Sequence, residues 1–274
     1  SIIYYLAIIH LAKLLRKKVM LYANGIGPVT KRRNRRLLAK VVSKADLITL
    51  RDDDSYTELM DMGVSPENVH ITADPVFTSE IPDDIDILPI LKRAELPAET
   101  PFVVFSVRRT SCGGFYEDMA SICDHIIKKY GMNILFLVMQ ESNDLDANCE
   151  VMTQMKCKSY ILNTGRSFEE NMSIVGHSEF VVSMRLHTLI FASHMLVPSI
   201  GIAYDPKILS FINSMDLPLI GGPPIPDVKA AIGVVDEFIE NLGSVKSSLK
   251  VHTEKMTKAA EENRKYLWKL LSGK

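Results

Sequence analysis

Short apolar runs alternate with amphipathic stretches along most of the chain, which is the pattern of a parallel sheet with crossover helices. The first series predicts a helix over 2–16, a strand over 19–24, a helix over 34–43, a strand over 46–50, a helix over 54–62 and a strand over 69–72. A second series starts with the strand Phe102-Val-Val-Phe-Ser-Val, followed by a helix over 116–130 and the strand Asn133-Ile-Leu-Phe-Leu-Val-Met. After a polar loop come strand 159–162, helix 168–177, strand 180–184, helix 186–196 and strand 198–204. A helix from Pro206 and helices near 227–242 and 247–272 close the series.

Between about 78 and 100 the texture changes, and Pro82, Asp83, Asp84, Asp86, Pro89, Pro97 and Pro101 suggest a linker. The expected class is α/β: a Rossmann-like domain over 1–80, a linker over 81–100, a second Rossmann-like domain over 101–246 and a closing helix over 247–274. Two such halves imply an active site in the cleft between them, with the last helix packing back across the linker. The chain enters directly into an apolar helix pattern, so further βα units are expected upstream of Ser1.

A length of 274 residues suits one large domain or two ordinary ones. With 32 basic and 33 acidic residues the chain as a whole is no polyelectrolyte binder. Cys112, Cys123, Cys149 and Cys157 show no CxxC spacing and no interleaved histidines. That argues against zinc and against a disulfide framework, and fits a reducing cytosol. The opening Ile2-Ile-Tyr-Tyr-Leu-Ala-Ile-Ile9 is too short to span a bilayer, and its basic residues Arg16, Lys17 and Lys18 follow it rather than precede it. A buried helix is expected there instead of a signal peptide.

Chemistry-bearing residues cluster after predicted strands, where parallel α/β sheets bind their ligands. Gly25-Ile-Gly27-Pro28 follows strand 19–24, as a tight turn or a ligand-facing loop. A dinucleotide fingerprint is disfavoured, because Thr30 holds the third glycine position and Asp46 lies at the start of its strand. Arg51 ends its strand and either pairs with Asp52, Asp53 and Asp54 or clamps a carboxylate or phosphate. His187 opens a helix, as a hydrogen-bonded structural residue or a reactive one, and His194 lies about 10 Å further along that helix, too far to share a metal ion. Arg185 reads as a core anchor or an anion ligand. Asp205-Pro206 starts a helix, and Lys207, a cation at its first turn, is either simply solvent-exposed or held there by a bound anion. Lys31-Arg-Arg-Asn-Arg-Arg36 is a solvated helix start or a contact for anionic lipid or diphosphate. It carries no interleaved aromatics, so nucleic acid is not an expected partner.

Together, Gly25-Ile-Gly-Pro28, Arg51-Asp52, Ala73-Asp-Pro75, Met184-Arg-Leu-His187 and Gly201-Ile-Ala-Tyr-Asp-Pro-Lys207 resemble the polysaccharide pyruvyl transferases, most closely the bacterial CsaB-type enzymes. The resemblance runs from about residue 1 to 245. It implies a fold like the two-domain GT-B glycosyltransferases, and transfer of the enolpyruvyl carbon of phosphoenolpyruvate onto two sugar hydroxyls as a cyclic ketal, with release of phosphate. It implies functional roles for His187, Lys207 and an arginine, which is Arg51 or, second, Arg108. Tyr204 and Asp205 join Gly25 and Gly27 as acceptor or loop residues. The family's Gly-Asn-rich N-terminal segment is absent here.

The residues suit that chemistry. Phosphoenolpyruvate carries a carboxylate and a phosphate and needs at least two cationic anchors. A histidine can serve either proton transfer, to the methylene carbon or from the attacking hydroxyl. The scheme requires no metal and no cofactor beyond phosphoenolpyruvate as co-substrate. The resemblance implies an acceptor sugar, typically N-acetylmannosamine, on a lipid-linked or nucleotide-linked cell-envelope precursor, serving S-layer attachment. The expected location is cytoplasmic, with peripheral contact at the inner face of the membrane. The competing readings are a GT-B-like glycosyltransferase using a nucleotide sugar, for which Glu169 or Glu170 would hold the ribose, and a non-catalytic fragment.

Overall fold

Continuous apolar runs make the strands of two separate parallel sheets; those at the centre of the larger sheet are buried on both faces, whereas Tyr22 and Ile71 of the smaller sheet are exposed. The computed structural model describes residues 2–82, 84–97 and 99–272, so Asp83 of the expected linker lies outside the described residues. The chain divides into two compact units, Ser1–Ser79 with Glu254–Lys274, and Glu80–Thr253.

In the first unit β1 (Met20–Asn24), β2 (Leu47–Leu50) and β3 (Val69–Ile71) pair in that order, all parallel. Helices α1 (Ile2–Leu14), α2 (Arg32–Val42) and α3 (Asp53–Asp61) alternate with them. Leu38, Val42, Ile48, Leu50 and Leu59 fill the core. The expectation of a buried first helix is corrected. Leu6 of α1 is buried, but Tyr4, Tyr5, Ile8, Leu11 and Leu14 are exposed. An all-round apolar sequence does not say how many of its faces find a partner.

The second unit is a five-stranded sheet in the order β6-β5-β4-β7-β8. It comprises α4 (Leu88–Arg93), β4 (Phe102–Ser106), α5 (Phe115–Tyr130), β5 (Asn133–Leu137), α6 (Glu141–Gln154), β6 (Tyr160–Leu162), α7 (Phe168–Gly176), β7 (Val181–Ser183), α8 (Leu186–His194), β8 (Ser199–Gly201), α9 (Pro206–Ser214) and α10 (Val228–Glu240). The stretch 81–100, expected as a linker, belongs to this unit: α4 begins with a proline in its first turn and buries Ile90 and Leu91. Proline is compatible with a helix start, so the proline signal there marked a helix rather than free chain. The expected polar loop after β5 is α6, whose buried face includes Asp144 and Asn148. The last helix, α11, runs over Leu242–Ser272 rather than from 247, and its residues from 254 onward group with the first unit. There Asn263, fully buried, donates to the Ala73 carbonyl at 2.9 Å.

One polar cluster fastens α10 to α5. The Asp236 carboxylate accepts from Tyr130 Oη at 2.8 Å and Lys129 Nζ at 2.9 Å, and lies 2.7 Å from His125 Nε2. Partial burial pushes its pKa up, but the bonds from Lys129, His125 and Tyr130 outweigh that and bring it down to about 2. A depressed carboxylate contributes stability that is present above its ordinary value of 3.8 and is lost as pH falls towards about 2. Asp236→Asn is therefore expected to cost about 1–3 kcal/mol near neutral pH. Urea unfolding at neutral pH and at about pH 3 checks it, because the gap between wild type and variant must narrow in acid.

Candidate functional site

In the first unit the candidates lie at the carboxyl edge of the three-stranded sheet. Asn24 pairs with Leu50 and Leu50 with Ile71, so Gly25, Arg51 and Thr72 leave the sheet at one level. Arg51 is mostly buried, with Nη1 3.0 Å from Asp74 Oδ2 and Nε 3.6 Å from Asp52 Oδ2. Two carboxylates thus face one guanidinium. Asp52 also caps α3 by accepting from the Ser55 amide at 2.7 Å. Gly25 lies close against Arg51: a Cβ there would lie 2.9 Å from both Nε and Nη2, so the guanidinium would have to shift from its place beside Asp74. Gly27 has φ +86°, and a Cβ on it would meet Glu58 Cγ at 2.9 Å. The glycine turn is therefore shaped by its own neighbours. Glu58 accepts from the Val29 amide and from Arg35, which engages one cation of the basic run. Lys31, Arg32, Arg33 and Arg36 remain exposed.

In the second unit the chain starts at the central strand β4, runs outward through β5 and β6, and returns to the other side of β4 as β7 and β8. The strand order reverses between β4 and β7. Helices leave to opposite sides at such a point and a crevice opens at the carboxyl edge. Ser106, Ser183 and Gly201 pair in register across β4, β7 and β8. Arg108, Arg185 and Tyr204 therefore follow at nearly one height, with His187 in the first turn of α8 and Lys207 in the first turn of α9.

These residues differ in what already occupies them. Asp144 of α6 is fully buried and accepts from Arg185 through Nε at 2.9 and 3.0 Å and Nη2 at 2.5 Å. The same carboxylate accepts from the amides of Met139 and Gln140. Arg185 Nη2 also donates to Gln140 Oε1 at 3.0 Å. Of the two readings of Arg185, the geometry supports the anchor. Asp205 caps α9 by accepting from the Lys207 amide at 2.9 Å, a structural task for a residue expected in the loop or at the acceptor. Arg108 is half-buried, and its Nη1 donates to Tyr204 Oη at 2.5 Å, with Cζ 5.1 Å from the Tyr204 ring. Among the described residues no carboxylate pairs with Arg108 or Lys207. His187 is exposed.

Sequence reasoning missed Asp144, Gln140 and Asn148, because α6 was not recognised as a helix. Asp74 was seen only as part of a motif, although it decides the electrostatics of Arg51. Glu170, considered for a ribose, reciprocates with Ser167 in a capping box and lies 3.7 Å from Arg93. Among the described residues no group of three histidine, cysteine or acidic side chains is placed to hold a metal ion. No helix among them is long and apolar enough to cross a membrane.

A search of curated proteins gave no sequence match. Solved structures match in fold. UDP-GlcNAc 2-epimerase from Neisseria meningitidis, bound to UDP-GlcNAc, aligns with TM-score 0.66 at 13% identity over 96% of this chain and 73% of its own. Anabaena Alr3699/HepE in complex with UDP gives 0.67 at 10% identity, over 100% and 77%. A glycosyltransferase from Rickettsia africae gives 0.63 at 10%, over 98% and 80%. These likenesses establish a GT-B type of fold. A family model described as polysaccharide pyruvyl transferase matches residues 1–206. That span contains both glycines of the turn, Arg51, the switch-point arginines, His187 and Tyr204, and the chain belongs to the polysaccharide pyruvyl transferase family.

Proposed function

We propose that this protein moves the enolpyruvyl group of phosphoenolpyruvate onto two hydroxyls of a sugar in a cell-envelope polysaccharide precursor, forming a cyclic ketal and releasing phosphate. One observation supports the donor assignment above the rest. At the strand-order reversal Arg108 donates to a phenol and, among the described residues, pairs with no carboxylate, with Lys207 and His187 at the adjoining strand exits. Arg51, the first candidate for the donor carboxylate, already faces Asp52 and Asp74. Two carboxylates leave little net charge for an anion, whereas Arg108 keeps all of its own. Arg108 and Lys207 are thus assigned to the donor's carboxylate and phosphate, and Arg185 to holding the loops.

The steps balance. The methylene carbon gains a proton as the first hydroxyl oxygen bonds to C2 and loses its own. The C2–O bond to phosphate then breaks, the second hydroxyl closes the ketal, and its proton leaves with hydrogen phosphate. His187 takes the hydroxyl proton and delivers one to the methylene carbon. Lys207 stabilises the charge that develops on the departing phosphate. The acceptor is assigned as a lipid-linked or nucleotide-linked amino sugar, N-acetylmannosamine. Phosphoenolpyruvate is cytoplasmic, so the reaction belongs there, with a lipid-linked acceptor met at the inner membrane face.

The nucleotide-sugar reading draws on the UDP and UDP-GlcNAc bound by the structural neighbours. Calorimetric titration separates the two. Phosphoenolpyruvate should bind, and Arg108→Gln should weaken it by about tenfold or more. Binding of UDP-N-acetylglucosamine with no binding of phosphoenolpyruvate overturns the proposal.

A further inference from the structure

Where β4 ends, the amide of Val107 is buried and receives its acceptor from outside the sheet, the side chain of Asn148 on α6, at 3.1 Å. Asn148 is itself fully buried, and its Nδ2 donates to the Asp144 carbonyl at 2.8 Å. On the other side of Arg108, the Arg109 amide donates to the Asn143 carbonyl at 2.7 Å. Both amides that flank Arg108 are therefore held by the first two turns of α6. The Arg108 amide itself contacts Met184 Sδ at 3.4 Å, which ties the same turn to β7.

We infer that Asn148 is a positioning residue for the donor site, fixing the backbone from which Arg108 reaches phosphoenolpyruvate. The inference rests on the reading of Arg108 as a donor anchor. The amide presents an acceptor to Val107 and a donor to Asp144 from two separate atoms, whereas a threonine hydroxyl of similar volume would have to serve both from one. Misplacement of an anchoring group by about 1 Å is enough to lose most of its contribution.

Steady-state kinetics with phosphoenolpyruvate varied test this on the full protein. Asn148→Ala removes both bonds. Asn148→Thr loses the reach to Val107 but fills the space, and it carries the test where the alanine variant does not fold. Val151→Ala, in the buried face of the same helix, is the control for loosened packing. Arg108→Gln reports on the donor reading itself. The expected result is a KM for phosphoenolpyruvate raised about fivefold in the Asn148 variants with kcat within about twofold, a larger rise in Arg108→Gln, and an unchanged KM in Val151→Ala. An unchanged KM in the Asn148 variants, with a raised one in Arg108→Gln, overturns the inference and leaves the donor reading standing. An equal rise in Val151→Ala also overturns it, since general loosening then explains the effect. An unchanged KM in Arg108→Gln overturns both.

Discussion

Asp144→Ala is expected to destabilise the protein by about 3–5 kcal/mol, a loss large enough to threaten folding. Asp144 is fully buried, and Arg185 has 15% of its side chain exposed. Removing the carboxylate strands a guanidinium with Gln140 as its remaining hydrogen-bond partner and leaves the amides of Met139 and Gln140 without their acceptor. Chemical denaturation compared across Asp144→Ala, Arg185→Ala and the double variant measures the coupling. The double variant should be less destabilised than the sum of the singles, because no buried charge is left alone. A sum that is simply additive would mean that the pair contributes nothing jointly.

His187→Ala is expected to lower turnover by about 10²–10⁴-fold while costing no more stability than one exposed hydrogen bond, about 1 kcal/mol. The contrast follows from position. His187 is exposed in the first turn of α8, so removing the imidazole opens no core cavity, yet it removes the group assigned to move the proton. Denaturation and phosphate release, measured on the same preparation, check both halves. A variant that unfolds would return His187 to a structural role, and one with full activity would remove it from the chemistry.

The strand pattern was legible because buried parallel strands are continuous apolar runs, as in Phe102–Ser106 and Val181–Ser183. Helix α6 was not, because two of its buried positions are Asp144 and Asn148. Their partners, Arg185 and the Val107 amide, lie 41 residues away in each case, and no local pattern signals a polar residue made buriable by a distant one. The same limit separates Arg51 from Arg108. Both follow strands, and only the arrival of Asp74, 23 residues on, shows that one of them is already neutralised. His187 and Lys207 were legible as strand-exit residues because turn and capping chemistry is local, which the Asp205 cap of α9 illustrates.

The central claim is that phosphoenolpyruvate is the donor and a ketal the product. The most direct measurement incubates the protein with phosphoenolpyruvate and a lipid-linked N-acetylmannosamine acceptor, following phosphate release and, by carbon NMR of labelled donor, the quaternary ketal carbon. One phosphate for each ketal formed is the expected result. Unconsumed phosphoenolpyruvate, alongside consumption of a nucleotide sugar offered in its place, would contradict it.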